Sequence, residues 1–169
     1  MSKDLELCET MSMASTIDGC PTPTHTTATE AGFDNSGPAE SVPWPDAVFI
    51  IRHRATGKII TLIDGELQLC EGFSARGGSH WHCAEKDRWL GFRNCVSGTY
   101  IGHDERRNFI AKVVQHRAHE YFTPRAHPDG GYELLMRHGH ELWSMAVGDD
   151  GKSLVETKGE GALWDFLKT

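Results

Sequence analysis

Short apolar runs, each ended by turn-forming residues, follow one another along the chain from about residue 46 to its end. None of them keeps a 3.6-residue apolar period over the length of a typical helix. The pattern is typical of β-strands separated by Gly, Asn and Asp turns, so it predicts an all-β domain. The predicted strands are, in chain order, AVFIIRH, KIITLI, ELQLCE, HWHC, RWLGF, TYIGH, NFIAKVV, HEYFT, GYELLMR, ELWSMAV, SLVET and ALWDFL.

The order of these strands repeats along the chain. Gly57, Gly98 and Gly139 are 41 residues apart, and each opens a unit in which LQL, FIA or LVE is followed by a closing element HWHC, HEYF or LWDF. Four short strands cannot cover their own apolar faces, so three such units are expected to pack around a common axis. The sequence therefore predicts a β-trefoil of three pseudo-repeats of about 41 residues.

The motifs YIGHD, FIAKV, HPDGGYELL and LVE followed by LWDF resemble those of the fascin-like branch of the β-trefoil superfamily, and of small fungal single-trefoil proteins within it. The resemblance covers about residues 47 to 167. It implies an intracellular binding module, with actin as one possible partner. The fungal proteins commonly carry Trp where this chain has His119, which singles out that position.

The first 45 residues differ in composition from the rest. They are rich in Ser, Thr, Pro, Gly and Ala, and residues 1–43 contain one Lys against seven acidic residues. Such a segment cannot bury enough apolar surface to offset its ordering entropy. The sequence therefore predicts a disordered acidic tail over residues 1–45 and a trefoil domain over residues 46–169.

Several classes of protein are disfavoured by the sequence. Its apolar runs are far too short for a membrane span, and its net charge of −7 gives no support for nucleic-acid binding. Five cysteines without a CxxC pair favour free thiols and a cytoplasmic location over a disulfide framework. No phosphate loop, dinucleotide fingerprint or Ser-His-Asp pattern occurs, so no cofactor is expected.

Two histidine pairs have strand spacing. His80 and His82 project to one face of a strand, and His138 and His140 have the same spacing beside Glu141. A zinc site would need one or two further ligands from another strand. Spacing supplies only pairs, so hydrogen-bonded histidines are favoured and no metal site is predicted.

The element QHRAHEYF offers a possible acid–base pair, His119 and Glu120. The alternative is structural: Tyr121 and Phe122 fill the core while Glu120 pairs with an arginine such as Arg125, and this alternative is favoured.

Pro128 to Gly131 are turn residues that join the second and third units. The following strand is then expected to place Tyr132, Leu134 and Met136 on one face.

Three functions remain open. The favoured one is a non-catalytic module that holds a protein partner, with actin as the candidate that the resemblance implies, and that does not bundle filaments as a monomer. The second is a cofactor-independent cyclase or isomerase of fungal specialised metabolism that acts on a small molecule. Its candidate catalytic residues are His119, Glu120, His80, His82 and Glu141. The third is pH sensing by the ten histidines.

Sugar binding of the ricin type loses support. Lectin-type trefoils usually carry a Gln-x-Trp motif near the end of each repeat, and no Gln stands two residues before any Trp of this chain.

Overall fold

The computed structural model describes residues 40–74 and 76–169, which form twelve strands and one short 3₁₀ helix. Unit 1 consists of β1 (Val48–His53), β2 (Ile59–Ile63), β3 (Glu66–Cys70) and β4 (Trp81–Lys86). Unit 2 consists of β5 (Trp89–Asn94), β6 (Tyr100–His103), β7 (Phe109–Val113), the 3₁₀ helix η1 (Ala118–Glu120) and β8 (Phe122–Ala126). Unit 3 consists of β9 (Tyr132–His138), β10 (Glu141–Val147), β11 (Leu154–Thr157) and β12 (Leu163–Lys168).

The first and last strands of the units form a closed ring. β1 pairs with β4, β4 with β5, β5 with β8, β8 with β9, β9 with β12, and β12 with β1, all antiparallel. A closed ring leaves no strand edge unpaired, which removes the usual site of edge-to-edge aggregation. This ring is the barrel of the molecule.

The middle strands of each unit form a hairpin at one end of the barrel: β2 with β3, β6 with β7, and β10 with β11. The strands β3, β7 and β11 contact one another, so the three hairpins meet around the axis. A six-stranded barrel capped by three hairpins is the β-trefoil architecture, and the predicted fold class is therefore confirmed. The described residues contain no helix long and apolar enough to cross a membrane.

The core lies inside the barrel and under the hairpins. Aromatic side chains from several strands meet there: the Phe92 ring lies 5.7 Å from that of Phe122 and 5.5 Å from that of Phe166. Trp81 is fully buried and donates through Nε1 to the carbonyl of Ile60. Because Phe92, Phe122 and Phe166 belong to different strands of the barrel, their contacts bind units 2 and 3 together.

The glycines that open the units share one backbone conformation. Gly57, Gly98 and Gly139 have φ values of +74°, +74° and +63°, which L-residues rarely adopt. The same turn therefore recurs at the same place in each unit, in agreement with the predicted repeat.

Two local expectations have different outcomes. The turn at residues 128–131 joins β8 to β9, as predicted. Of the three residues predicted to share one face, Leu134 and Met136 are fully buried and Tyr132 is partly buried against the core. The strand predicted for HEYFT begins only at Phe122, because residues 118–120 form η1.

Charged side chains form a network of ion pairs where β12 pairs with β1. Asp165, which is buried, accepts hydrogen bonds from Arg52 (2.9 Å) and Arg54 (2.6 Å). Glu40 lies within 3.5 Å of both arginines and forms a β-bridge with Leu167. The predicted disorder of residues 1–45 mostly concerns residues 1–39, which lie outside the described residues.

Among the described cysteines, Cys70, Cys83 and Cys95 are free thiols. Cys83 is fully buried, and burial raises the pKa of its thiol to about 12. This thiol is therefore an inert part of the core. Cys8 and Cys20 lie outside the described residues.

His116 is a buried histidine of the fold. Its ring stacks on Tyr100 at 5.1 Å, meets Tyr121 edge-on at 5.0 Å, and lies against Gly91, where an added Cβ would come within 2.5 Å of Nε2. Burial lowers the pKa of His116 because it disfavours the charged imidazolium. His116 is therefore neutral at pH 7 and belongs to the core.

Replacing Phe92 by Ala is expected to lower the free energy of unfolding by roughly 3–5 kcal/mol, since a fully buried ring that touches two others is lost. Urea denaturation of both proteins measures this change. Val114→Ala, at an exposed position, is the control and is expected to change it by less than about 0.5 kcal/mol. A loss of under about 1 kcal/mol for Phe92→Ala would show that the barrel interior does not hold the fold.

The lowered pKa of His116 predicts a pH dependence. The unfolded chain takes up the proton near pH 6.5, whereas the folded protein takes it up only at lower pH. The free energy of unfolding should therefore fall as the pH drops below about 6.5 and keep falling until it passes the folded pKa. Urea titrations between about pH 7.5 and about pH 5 should show a shallower decline for His116→Gln, while exposed His140→Gln should keep the parent slope. Equal slopes for all three proteins would refute this assignment.

Candidate functional site

Units 2 and 3 meet at a point on the hairpin end where three potential metal ligands come together. Glu156 lies on β11, His103 ends β6 and His138 ends β9. The main chain brings them together: Asn108 bridges to Val155, and the amide of Glu156 donates to the carbonyl of Arg107 at 3.0 Å. We call His103, His138 and Glu156 the His-His-Glu cluster.

The cluster is compact. Glu156 Oε1 lies 3.0 Å from His103 Nδ1, and Glu156 Oε2 lies 3.3 Å from His138 Nδ1. One ligand atom from each residue lies within 4.8 Å of the others. Among the described residues, this is the group of three His, Cys, Asp or Glu side chains whose ligand atoms lie close enough together to hold one metal ion. The side chain of Glu156 is 0% exposed and that of His103 is 6% exposed.

Two of the three residues break the pseudo-symmetry of the hairpins. Glu156 follows Leu154 by two residues, as Ala111 follows Phe109 and Leu69 follows Leu67. These three positions therefore correspond, and they hold Glu, Ala and Leu. His103 pairs with Phe109 as Leu62 pairs with Leu67 and Val147 with Leu154. Only units 2 and 3 therefore replace aliphatic side chains with titratable ones at these two positions.

An open cavity of about 470 Å³ lies beside the cluster, and we call it the histidine cavity. It is lined by His103, His119, Arg137, His138, Asp104 and Glu105, among others. The exposed ring of His119 stacks on that of His103 at 4.5 Å, and the ring of His138 stacks on Trp143 at 4.1 Å. These stacks limit the orientations of both cluster imidazoles.

Burial also sets the charge of His103. It lowers the pKa of this imidazole, and the neighbouring His119 and His138 act in the same direction, whereas Glu156 opposes the change. His103 is therefore neutral at pH 7, which is the form that offers a nitrogen lone pair to a cation.

The structure places one of the five predicted catalytic residues, His119, in the histidine cavity. Glu120 is adjacent in the chain but is buried, accepts from the amide of Arg117 at 3.0 Å and packs against Gly102. Burial raises its pKa. The predicted pairing of Glu120 with Arg125 is wrong, since Arg125 pairs with Glu133.

The other three candidates lie apart from this pair. His80 precedes β4 and His82 lies on it, next to Arg93 of β5 by strand register. Glu141 is exposed, forms an ion pair with Lys158 at 2.8 Å and accepts from Trp143 Nε1. The Lys158 hydrogen bond lowers the pKa of Glu141. His140, which has strand spacing with His138 in the sequence, is exposed in the turn after it and is not part of the cluster.

Sequence reasoning missed His103 and Glu156. A signal existed for Glu156, because the aligned triplets LQL, FIA and LVE end in Leu, Ala and Glu. An acidic residue at a position that is apolar in both other units marks a break in the repeat. His103 offers a weaker signal, since it is the last residue of the predicted strand TYIGH, where a polar residue is expected next to a turn.

A second surface feature lies between units 1 and 2. A cleft of about 500 Å³ is lined by Leu62, Ile63 and Val96, with Asp64, Asn94 and Ser97 around them. Ile63 is 37% exposed and Val96 is 68% exposed. Residues 71–80, the longest of the three connections to a closing strand, contribute Ser74 and Gly78 to its wall. We call this feature the apolar cleft.

No protein-family model matches the chain, and no curated protein matches it. Solved structures do. An endo-β-galactosidase from Clostridium perfringens is 15% identical with a TM-score of 0.64, and the chains overlap over 73% of this one and 32% of the enzyme. The ricin B-like lectin of Macrolepiota procera, solved with lactose, is 10% identical with a TM-score of 0.61 over 76% of this chain and 100% of the lectin.

The designed threefold-symmetric protein ThreeFoil is 14% identical with a TM-score of 0.60 over 72% of this chain and 99% of the design. The present chain thus spans about a third of the galactosidase but nearly all of the single-trefoil proteins. At these identities the likeness concerns the fold, and it establishes that this chain is a β-trefoil.

Proposed function

We propose that this trefoil is a non-catalytic binding module that holds an apolar side chain of a protein partner in the apolar cleft. The observation that carries the proposal is the exposure of Ile63 and Val96 around one depression with polar residues at its border. Apolar centres with polar rims are typical of protein interfaces, and exposed apolar groups that cluster usually mark an interaction site.

The construction of the cleft supports this proposal. Val96 lies in the turn between β5 and β6, and Asn94 fixes that turn by accepting from the amides of Val96 and Ser97 at 3.0 and 3.1 Å. Asn94 also donates to the carbonyl of Gly78 at 2.9 Å, which ties the opposite wall to the same side chain. A depression whose two walls share one buried anchor is preorganised for binding.

A cyclase or isomerase has less support. Acid–base catalysis requires its groups to lie within hydrogen-bond reach of one substrate. His119 faces the histidine cavity, whereas the Glu120 carboxylate is occupied by the amide of Arg117 and Glu141 by Lys158. The five candidates therefore do not form one site.

Sugar ligands are suggested by the lactose-bound lectin of similar fold, but that likeness concerns the fold alone. The fascin-like resemblance, the cytoplasmic location and actin remain predictions from the sequence.

Val96→Asp is expected to abolish partner binding because it places a charge on the apolar wall of the cleft. The measurement is selection of a displayed peptide library on the immobilised full-length protein, with recovered peptides titrated against each variant. We expect apolar peptides whose affinity falls at least about tenfold with Val96→Asp. Val114→Asp, a similarly exposed valine outside the cleft, is the matched control and should leave binding unchanged. Peptides or arrayed glycans that bind Val96→Asp as well as the parent would contradict the proposal.

Actin is tested separately by sedimentation. If actin is the partner, the protein should pellet with filaments at high speed, and Val96→Asp should reduce the bound fraction. No bundles should pellet at low speed, since one cleft on a monomer cannot crosslink two filaments. Absence of high-speed pelleting at high protein concentration would remove actin from consideration.

A further inference from the structure

We propose that His103, His138 and Glu156 bind a divalent transition-metal ion of the zinc class. Two imidazoles and one carboxylate are a ligand set that zinc commonly takes, with one position left for water or another ligand. The site lies between units 2 and 3, away from the apolar cleft, so the proposal does not rest on the proposed function.

The first argument is the state of the Glu156 carboxylate. Its side chain is 0% exposed, and neither of its oxygens has a hydrogen-bond partner among the described residues. The two histidine nitrogens lie near these oxygens, but the contacts lack the directions of hydrogen bonds. A buried charge without a partner is strongly unfavourable, so such carboxylates are normally paired or bound to a metal.

The second argument is distance. Ligand atoms of a tetrahedral zinc site lie about 3.3 Å apart, given metal–ligand bonds of about 2.0–2.1 Å. The two nitrogen–oxygen separations here are 3.0 and 3.3 Å, and all three ligand atoms lie within 4.8 Å. The two separations involve different oxygens of Glu156, so the imidazoles must move closer together to share one ion, and the carboxylate can contribute one or both oxygens.

The third argument comes from the pseudo-symmetry. Leu69 and Ala111 occupy the position of Glu156, and Leu62 and Val147 that of His103, in hairpins of the same fold. The architecture is thus satisfied by aliphatic side chains at both positions. A structural role does not explain why a buried carboxylate and an imidazole stand here together.

The surroundings restrain the ligands and leave access to the ion. His119 and Trp143 stack on the rings of His103 and His138. The Nδ1 atom of His103 also lies 3.5 Å from the carbonyl of Asp104, at the limit of a hydrogen bond, and this contact is given up when Nδ1 binds the ion. The histidine cavity lies beside both imidazoles, so it provides room for a fourth ligand and a path for the ion. We infer a site that exchanges its metal with solvent.

The experiment is titration of the metal-free full-length protein with zinc chloride by calorimetry, and with cobalt chloride by visible absorption. We expect one high-affinity ion per chain, a d–d absorption typical of nitrogen and oxygen ligands, and zinc-dependent shifts of the ring resonances of His103 and His138 in NMR spectra. Glu156→Gln and His138→Asn should each weaken zinc binding at least about 100-fold.

Two variants guard against misleading results. His140→Gln alters an exposed histidine in the same turn as His138 and should keep the parent affinity. Glu156→Leu copies Leu69 and should lose zinc binding while its metal-free melting temperature stays equal to or above that of the parent. This outcome separates loss of the site from loss of the fold.

The proposal fails if the parent protein binds no zinc or cobalt. It also fails if Glu156→Gln and His138→Asn bind zinc as tightly as His140→Gln does, which would place the ion elsewhere. A marked fall in the metal-free melting temperature of Glu156→Leu would show that the carboxylate pairs with a protonated histidine and stabilises the fold itself. Peptide binding through the apolar cleft is unaffected by any of these results, so the two proposals stand or fall separately.

Discussion

The closed ring of six strands is the constraint on which the rest of the structure depends. Every barrel strand has two antiparallel neighbours, so the sheet closes on itself and encloses an interior. The interior is then filled by large apolar side chains such as Trp81, Phe92 and Phe166. With stability supplied there, the hairpins and turns at the ends are free to carry residues that the fold does not require.

The histidines divide according to this principle. His116 lies between two tyrosines and against Gly91, where only a glycine leaves enough space, and it acts as an apolar ring of the core. His103 and His138 lie at the ends of strands where two units meet, beside a carboxylate that has no hydrogen-bond partner among the described residues. The same residue type thus serves packing in one place and offers ligand atoms in another, and local geometry distinguishes the two roles.

The fold was largely predictable because the same order of strands and turns occurs three times in the sequence. Strand alternation and the recurring glycine turns identified twelve strands, and the closing elements indicated how three units share one axis. The boundary at HEYFT failed because η1 depends on contacts with Gly102 that local pattern does not encode. Propensity in a short segment yields to such tertiary contacts.

The site was less predictable, since its parts come from two units. Sequence spacing detects candidate ligands that are close along the chain, such as His138 and His140. The cluster instead brings together residues 103, 138 and 156, and the β-bridge between Asn108 and Val155 holds the two units next to each other there. Only the registers of neighbouring hairpins bring these residues together. Comparison of the three units at aligned positions is the sequence test that comes nearest, because Glu156 stands where Leu and Ala stand in the other units.

The pairing of β12 with β1 joins the last strand of the barrel to the first, and Asp165 stabilises this pairing through its ion pairs with Arg52 and Arg54. It has the greatest separation along the sequence of any pairing in the barrel, so it carries a large cost in loop-closure entropy during folding. A fragment without its first or last unit would expose two unpaired strand edges. Although the three units repeat one pattern, the barrel therefore closes only when all three are present.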